Sequence, residues 1–266
     1  MLVDTHCHLD FEHFDSDRDQ IVDRAAASGV SRIIVPAVNL DNCPAVLRLA
    51  EAYSGVYAAV GVHPNSSAAW QDRWVDTIRD FARHHKAVAI GEIGLDYHWD
   101  TSPKEVQHRA LVAQVTLAAE LDLPVIIHNR ESSDDLIRLL ADSPLNGLPR
   151  PGVLHSFSAD WQTAQAALDM GFYLGFTGPV TFKNADDLRR IAARVPLNRI
   201  LVETDAPFLA PQRRRGKRNE PANVVFIAER IADLHDMDTT LFAQQTTANA
   251  ARLFGSQLNP SENGNA

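Results

Sequence analysis

Two histidines two residues apart, His6 and His8, follow a short apolar run at the start of the chain. If this run is a β-strand, both imidazoles project from one face and Cys7 faces the other way. Asp4 has the same parity, so we expect its carboxylate beneath the imidazoles, where it would orient a ring N–H. Two convergent imidazoles with a carboxylate behind them are typical of a divalent metal site.

Further potential ligands lie at the ends of later apolar runs. They are Glu92 after AVAIG, His128 after PVII, His155 after GVL and Asp205 after ILVET. Six ligands are too many for one tetrahedral zinc, and they favour two metals that share a carboxylate. Glu92 is the natural bridge, because a carboxylate has two oxygens whereas an imidazole has one free nitrogen. The first two histidines and Asp205 would complete one metal, and the two later histidines the other.

These residues need a scaffold that brings distant strand ends together. The predicted strands are Leu2–His6, Arg32–Pro36, Val56–Val62, Ala87–Glu92, Pro124–His128, Gly152–His155, Phe172–Phe176 and Arg199–Glu203. The predicted helices are Arg18–Ser28, Pro44–Tyr53, Val75–His84, Pro103–Leu121, Ser133–Ala141, Trp161–Met170, Asp186–Arg194, Ala222–Leu234 and Thr239–Phe254. Eight β-α units in about 250 residues predict an α/β protein with a single-domain TIM (β/α)8 barrel, in which functional residues gather at carboxyl strand ends. An open doubly wound sheet is disfavoured because no Gly-x-Gly-x-x-Gly turn follows the first strand.

Composition and charge narrow the function classes. The 266 residues are 45% apolar with a net charge of −9, which is ordinary for a globular protein and offers no general attraction for nucleic acid. The two cysteines form no Cys-x-x-Cys pair, so we expect no disulfide framework. No signal peptide or membrane span is visible, which predicts a cytoplasmic protein, and no obligate protein partner is evident. We predict a hydrolase barrel over residues 1–256 and a polar C-terminal tail over residues 257–266.

Five sequence blocks together resemble the signature blocks of TatD-family metal-dependent hydrolases, which belong to the amidohydrolase-type barrels. The blocks are His6-x-His8, Gly91–Tyr97, His128–Arg130, His155–Ser158 and Glu203–Pro207. They occur in family order and span Leu2 to about Phe254, and their combination is specific although each is weak alone. Ala159 departs from the family pattern, which usually has glycine there, and this change concerns the loop over the substrate and not a ligand.

The resemblance implies a set of ligands and an activity. In the family, two divalent ions are bound by the residues that match His6, His8, Glu92, His128, His155 and Asp205. Several family members are DNases with 3′-to-5′ exonuclease action, so DNA is the expected substrate. The metals would be Zn²⁺, Mn²⁺ or Mg²⁺, and four imidazoles favour the first two. We expect a metal-bound hydroxide to attack phosphorus, with Asp205 and Glu92 as the catalytic carboxylates and Asp205 accepting the water proton.

Several residues are predicted to contact the substrate. The resemblance favours His63, after the third strand, as a donor to a substrate phosphate. Arg130 lies two residues beyond a predicted ligand, and its guanidinium matches phosphate by bidentate hydrogen bonding. The basic run at residues 213–218, RRRGKR, follows the eighth strand, and its Arg215 and Lys217 would hold a nucleic-acid backbone. The alternative for this run is a solvated loop.

Four other residues near the blocks are given supporting roles. Tyr97 or Phe208 could stack on a base, although apolar packing is favoured for Phe208. Asp96 is expected to hydrogen-bond to a neighbouring strand and not to act in catalysis. Glu203 is expected to point inward and to support a ligand.

Two other functions stay open from the sequence. The same two metals could hydrolyse a carboxylic ester or amide, as in a D-aminoacyl-tRNA deacylase. A protein of another class, a non-catalytic nucleic-acid-binding protein stabilised by metal, would have a saturated site without an open position for water.

Overall fold

Strands and helices alternate up to the eighth strand, and two successive helices follow it. The computed structural model describes residues 1–259. The strands are β1 (Leu2–Asp4), β2 (Val30–Pro36), β3 (Val56–Val60), β4 (Ala87–Asp96), β5 (Val125–Arg130), β6 (Gly152–Leu154), β7 (Tyr173–Phe176) and β8 (Ile200–Val202). The helices are α1 (Arg18–Ala27), α2 (Cys43–Ala52), α3 (Trp74–Ala82), α4 (Lys104–Glu120), α5 (Ser133–Ala141), α6 (Trp161–Asp169), α7 (Asp186–Ala192), α8 (Val224–Leu234) and α9 (Thr239–Phe254). The strands follow one another in chain order in one sheet, which is the order predicted for a (β/α)8 fold.

The chain forms two compact units. One consists of Met1–Ile33 together with Phe176 onward, and the other of Ile34–Gly175. The first unit contains β1, β8, α1 and α7 to α9, and the second contains β3 to β6 and α2 to α6. Strand pairing within each unit is parallel, for example β1 with β2 and β4 with β5.

The core of the second unit follows from the hydrophobic pattern. All five residues of β3, VYAAV, are buried, as expected for a parallel strand covered on both faces. The helices bury one face each: in α5, Leu136 and Leu140 lie four residues apart and are both fully buried. Among the described residues, no helix is both long and apolar enough to cross a bilayer.

The end of the chain is only partly described. Of the predicted tail, residues 260–266 lie outside the described residues. Leu258, which falls within that tail, is fully buried in a short 3-10 helix, Ser256–Leu258. The described end of the chain therefore packs against the fold for a few residues beyond the boundary predicted at residue 256.

β1 is shorter than predicted, and one expectation that depended on it was wrong. β1 ends at Asp4, so His6 and His8 lie beyond it. The Asp4 carboxylate accepts hydrogen bonds from the Thr204 backbone N–H at 2.8 Å and from the Thr204 hydroxyl at 2.6 Å. Its remaining donor is the backbone N–H of His6 at 3.4 Å. Asp4 therefore orients no imidazole, because a buried carboxylate takes the backbone and hydroxyl donors nearest to it.

β4 is longer than predicted, which corrects the position of Glu92. The strand continues to Asp96, so Glu92 lies within it and not at its tip. The pairing of β4 with β5 shifts register between Ile90 and Ile93 and then continues to the end of the strand. Gly94 has a φ of 145°, and a Cβ there would collide with the backbone of β5. Asp96 is thus a strand residue that pairs with β5.

Candidate metal centre

Three ligand atoms converge in the first unit, and we call His6, His8 and Asp205 the His6 cluster. The Nε2 atoms of His6 and His8 are 3.3 Å apart. The Asp205 Oδ1 atom is 3.7 Å from the first nitrogen and 3.6 Å from the second. The two distances to Asp205 are too long for good hydrogen bonds. They are close to the separation of about 3.3–3.4 Å between ligands of a tetrahedral zinc with bonds of 2.0–2.1 Å.

Backbone pairing after β8 builds this cluster. The Asp205 N–H donates to the His6 carbonyl at 2.8 Å, and the His8 N–H donates to the Ala206 carbonyl at 2.8 Å. Cys7, between the two histidines, forms a parallel bridge with Ala206. Cys7 is fully buried, and burial raises the pKa of its thiol well above the ordinary value. The predicted convergence of the two histidines is thus confirmed, although the segment lies beyond a regular strand, and the opposite orientation of Cys7 stays a prediction.

The carboxylates around the His6 cluster are buried and hydrogen-bonded. Burial raises the pKa of Asp4 to about 7, and its hydrogen bonds from Thr204 oppose the rise. Glu203 is fully buried, as predicted, and accepts a hydrogen bond from the Thr5 hydroxyl at 3.1 Å. These groups brace β1 against the segment that carries Asp205.

Four side chains converge in the second unit, and we call Glu92, His128, His155 and His63 the Glu92 cluster. The Glu92 Oε1 atom lies 2.8 Å from His155 Nε2, 2.9 Å from His128 Nδ1 and 3.5 Å from His63 Nε2. The nitrogens of His155 and His128 that face Glu92 are 3.4 Å apart. Glu92 is only 3% exposed, so three imidazoles surround one buried carboxylate oxygen.

His128 is oriented by Asp96, as expected of a carboxylate that bonds to the neighbouring strand. The His128 Nε2 atom lies 2.9 Å from Asp96 Oδ2. Burial alone would lower the pKa of His128, but hydrogen bonds to Asp96 and Glu92 outweigh it and raise the pKa to about 9. Burial likewise opposes ionisation of Asp96, yet hydrogen bonding from His128 holds the pKa of Asp96 well below its usual range. This arrangement keeps a proton on Nε2 and directs Nδ1 towards Glu92, as a metal ligand requires.

His63 differs from the other histidines of the Glu92 cluster. Its Nδ1 atom accepts the Asn65 backbone N–H at 3.1 Å, so the neutral ring carries its proton on Nε2. Burial lowers the pKa of His63 and favours that neutral form. The Nε2–H therefore faces Glu92 as a donor, and the geometry does not suit His63 as a metal ligand.

The donor atoms of the other residues in the two clusters are of types that bind divalent ions. Without His63, each cluster offers two imidazole nitrogens and a carboxylate, a mixed nitrogen and oxygen set that suits Zn²⁺ or Mn²⁺. The predicted ligands are therefore brought together as two trios: His6, His8 and Asp205 in one unit, and Glu92, His128 and His155 in the other. The sharing of Glu92 between two metals stays a prediction.

Arg130 is exposed at the end of β5, beyond a predicted ligand. Its guanidinium lies over the ring of Trp99, 5.5 Å from the centroid, and Trp99 is 52% exposed. No carboxylate among residues 1–259 lies within ion-pair distance of Arg130. The side chain is therefore available for an anion, and Trp99 is an exposed aromatic residue that sequence reasoning missed.

The basic run at residues 213–218 divides into paired and unpaired cations. Arg213 forms an ion pair with Glu229 at 2.8 Å, and Arg218 forms one with Asp17 at 2.6 Å. The other three cations have no carboxylate partner within ion-pair distance in the described chain; they are Arg214, Arg215 and Lys217. All of the run is exposed, and Arg215 also lies 4.1 Å from the centroid of the Phe182 ring.

Of the two aromatic candidates for base stacking, Tyr97 is engaged within the fold and Phe208 is exposed. The Tyr97 hydroxyl donates to Asp135 at 2.7 Å, and the Lys104 ammonium covers its ring at 3.9 Å from the centroid, so Tyr97 is engaged within the fold. Phe208, for which packing was favoured, is 47% exposed, and that expectation was wrong. Phe11, which sequence reasoning missed, stacks on His8 at 4.6 Å between ring centroids, and its position three residues after a predicted ligand was the available signal.

Known proteins with similar sequences cover nearly the entire chain. The family model described as TatD related DNase matches residues 3–255. The metal-dependent hydrolase YabD of Bacillus subtilis is 42% identical over 96% of this chain and 99% of its own length. The protein named 3′-5′ ssDNA/RNA exonuclease TatD of Shigella flexneri is 37% identical over 96% of this chain and 99% of its own length.

Solved structures support the fold. The crystal structure of YjjV, a TatD homologue from Escherichia coli, matches with a TM-score of 0.89 and 37% identity, covering 95% of this chain and 97% of YjjV. A TatD-family hydrolase from Entamoeba histolytica, 23% identical, matches with a TM-score of 0.86, covering 95% of this chain and 97% of its own. The predicted TIM (β/α)8 fold class is confirmed by these matches.

Proposed function

The chain belongs to the TatD-related DNase family of metal-dependent hydrolases, and on that premise we propose that it hydrolyses single-stranded DNA from the 3′ end. The name of the Shigella relative supports a nucleic-acid substrate. The observation that carries the proposal is the spacing of the His6 cluster, whose three ligand atoms lie 3.3 to 3.7 Å apart. This spacing suits a metal ion better than it suits hydrogen bonds.

Each cluster would hold one divalent ion, Zn²⁺ or Mn²⁺, giving two per chain. In the first unit the ligands would be His6, His8 and Asp205, and in the second Glu92, His128 and His155. When bound, such ions lower the pKa of water and neutralise negative charge that develops on a phosphate.

Asp205 is the residue we assign to proton transfer. Its side chain is 15% exposed, whereas that of His6 is fully buried and that of His8 is 7% exposed. Asp205 is thus the member of its cluster most open to a reacting water. A carboxylate at this position can accept the proton of that water while its other interactions keep it in place.

Four further side chains would bind the substrate phosphates. His63 carries its proton on Nε2, because Asn65 occupies its other nitrogen, and this N–H would donate to a phosphate oxygen in place of the Glu92 Oε1 atom 3.5 Å away. Arg130 is exposed and has the planar donor pattern that matches two phosphate oxygens. Arg215 and Lys217 supply positive charge, and within residues 1–259 no carboxylate lies at ion-pair distance from either of them.

The test is a substrate panel with the metal-stripped protein reloaded with Zn²⁺, Mn²⁺ or Mg²⁺. We expect a 5′-labelled single strand to shorten progressively from its 3′ end, only after reloading. Duplex DNA, RNA and aminoacyl-tRNA complete the panel, and the last tests ester hydrolysis directly. Turnover of aminoacyl-tRNA alone would replace the nuclease proposal, and metal-loaded protein that binds DNA without any turnover would support a non-catalytic binding protein.

Metal content is measured on the same samples. We expect about two ions per chain after reloading, one fewer in His6→Ala and one fewer in His128→Ala. Asp187→Asn, which changes a carboxylate that is 90% exposed, should keep both ions. A maximum of one ion in the wild-type protein would contradict the two-metal proposal.

A further inference from the structure

An exposed aromatic group adjoins the His6 cluster and has no role in the chemistry proposed above. Phe208 is 47% exposed, and its ring centroid lies 6.1 Å from that of Phe11 and 6.0 Å from that of His13. Phe11 stacks on His8, with centroids 4.6 Å apart and ring planes inclined by 18°. We call Phe11, His13 and Phe208 the aromatic step. It extends from a proposed metal ligand to the solvent-exposed surface.

The backbone holds Phe208 in its exposed position from both sides. The Phe208 N–H donates to the Asp205 carbonyl at 2.9 Å, and the Phe208 carbonyl accepts from Asn219 Nδ2 at 2.7 Å. Asn219 is fully buried, and it also donates to the carbonyls of Thr204 and Pro207, each at 3.0 Å. The segment that carries Asp205 and the exposed ring is therefore one braced turn. The ring is presented to solvent by a fixed backbone, which is how a preorganised contact residue is held.

Positive charge lies on the loop that is tied to the aromatic step. Arg218 donates to the His13 carbonyl and forms an ion pair with Asp17, which fixes the end of the basic run beside His13. Arg215 and Lys217, earlier in the same run, are exposed and have no carboxylate partner in the described chain. Because the net charge of the protein is −9, these cations are a local feature and not part of a general positive field.

We propose that the aromatic step is a stacking platform for one base of single-stranded DNA, with Phe208 as the contact face and the unpaired cations of the basic run on the adjoining phosphates. This inference rests on the proposed function and adds a binding subsite to it. Every base has a π-face, so a phenylalanine platform binds DNA without sequence preference, as an exonuclease that removes successive nucleotides needs. The His8–Phe11 stack places the platform beside a proposed metal ligand.

The test measures DNA binding by fluorescence anisotropy on the metal-loaded protein. The probes are labelled single strands whose last linkages are phosphorothioates that resist hydrolysis, with an abasic residue placed at each of the last four positions in turn. We expect one abasic position to raise the Kd of the wild-type protein roughly 5- to 100-fold, the range of one base–aromatic stack. The other abasic positions should change the Kd little.

Substitutions at Phe208 identify the interaction. Phe208→Ala and Phe208→Leu should both weaken binding of the natural strand by that factor and lose the sensitivity to the abasic position. Phe208→Trp should retain both properties, because it keeps a π-face. Leu241→Ala is the matched control, since Leu241 is 56% exposed on α9 and has no assigned role. Its Kd should equal that of the wild-type protein.

Several outcomes would contradict the proposal that the aromatic step is a stacking platform. If Phe208→Leu binds as the wild-type protein does, the contact is apolar and not stacking. If no abasic position matters although the protein binds and degrades DNA, the platform is wrong and the nuclease proposal stands. If the protein binds no single strand at all, both are wrong. If Phe208→Ala instead converts a wild-type dimer into a monomer in sedimentation and leaves the Kd unchanged, the step is a contact between two copies of the chain.

Discussion

The His6 cluster and the Glu92 cluster use the same kinds of donor atoms but space them differently. In the His6 cluster the carboxylate oxygen is 3.6 and 3.7 Å from the imidazole nitrogens. In the Glu92 cluster the oxygen is 2.8 and 2.9 Å from the nitrogens of His155 and His128, which are hydrogen-bond distances. A metal ion can enter the first arrangement with little movement, whereas in the second it must replace hydrogen bonds and displace a proton.

The clusters also differ in the groups that support them. In the Glu92 cluster a buried carboxylate, Asp96, bonds directly to the far nitrogen of His128. Near the His6 cluster the corresponding carboxylate, Asp4, bonds to Thr204 and supports the backbone. In the His6 cluster, backbone pairing sets the spacing of the ligand atoms. In the Glu92 cluster, the side chain of Asp96 orients His128. Substitutions should therefore affect the two clusters in different ways.

The largest effect is expected at Asp205, where ligation and proton transfer coincide. Asp205→Asn keeps the size of the side chain but removes its charge and basicity, so turnover should fall by about 10²- to 10⁴-fold or more. Rates at saturating metal, compared with far-ultraviolet circular dichroism, separate loss of activity from loss of fold. Asp187→Asn is the control and should retain the wild-type rate. Near-wild-type turnover of Asp205→Asn would show that another group accepts the proton.

The next largest effect is expected from substitution of Asp96, which should lower the metal affinity of the Glu92 cluster alone. Asp96→Asn removes the negative charge that fixes the proton on His128 Nε2, and loss of such a partner typically costs 10- to 100-fold in metal affinity. Competition with a chelator should show one weakened ion and one unchanged ion. If both ions weaken equally, the two clusters are not independent in the way their supports suggest. If neither weakens, Asp96 acts only on the fold.

A smaller effect, on the salt dependence of DNA binding, is expected from substitutions in the basic run. There, paired and unpaired cations can be compared. Replacing Arg214, Arg215 and Lys217 with glutamine should make the slope of log K against log salt shallower by about 2, at about 0.7 per phosphate contact. Replacing Arg213 and Arg218 instead should change the slope less, because Glu229 and Asp17 already neutralise them. Equal slopes for the two variants would show that pairing within the protein does not decide which cations bind DNA. A slope unchanged in both would identify the run as a solvated loop.

The smallest effect on the clusters is expected at Asp4. Because burial raises the pKa of Asp4 to about 7, the carboxyl is only partly ionised at neutral pH, and Asp4→Asn removes little charge. An amide can still accept the Thr204 N–H, so we expect a loss of about 1 kcal/mol of stability and a Tm lower by about 2–4 °C. Calorimetry and metal analysis check this, and both ions should remain. Loss of an ion would restore the original expectation that Asp4 supports an imidazole.

Much of the fold and the site could be predicted because the signals are local. Helices α5 and α9 have the predicted bounds, since an amphipathic period and its flanking residues are contained in one segment. The largest error in the bounds of a strand is at β4, where pairing with β5 carries the strand past its predicted end at Glu92 to Asp96. Gly94, which lies beyond the predicted end of the strand, is packed against the β5 backbone.

The sequence by itself determined which donor atoms are available, their order along the chain and the fold that gathers them. It did so because apolar runs, helical periods and the parity of His6 and His8 depend only on near neighbours. Only the tertiary structure decided which atoms face one another: that Asp4 bonds to Thr204, that Asp96 orients His128, that Asn65 occupies one nitrogen of His63, and that Phe208 remains exposed. These outcomes depend on contacts between residues far apart in the chain, as with the 200 residues that separate Asp4 from Thr204. A local sequence pattern does not determine which residues so far apart in the chain come into contact.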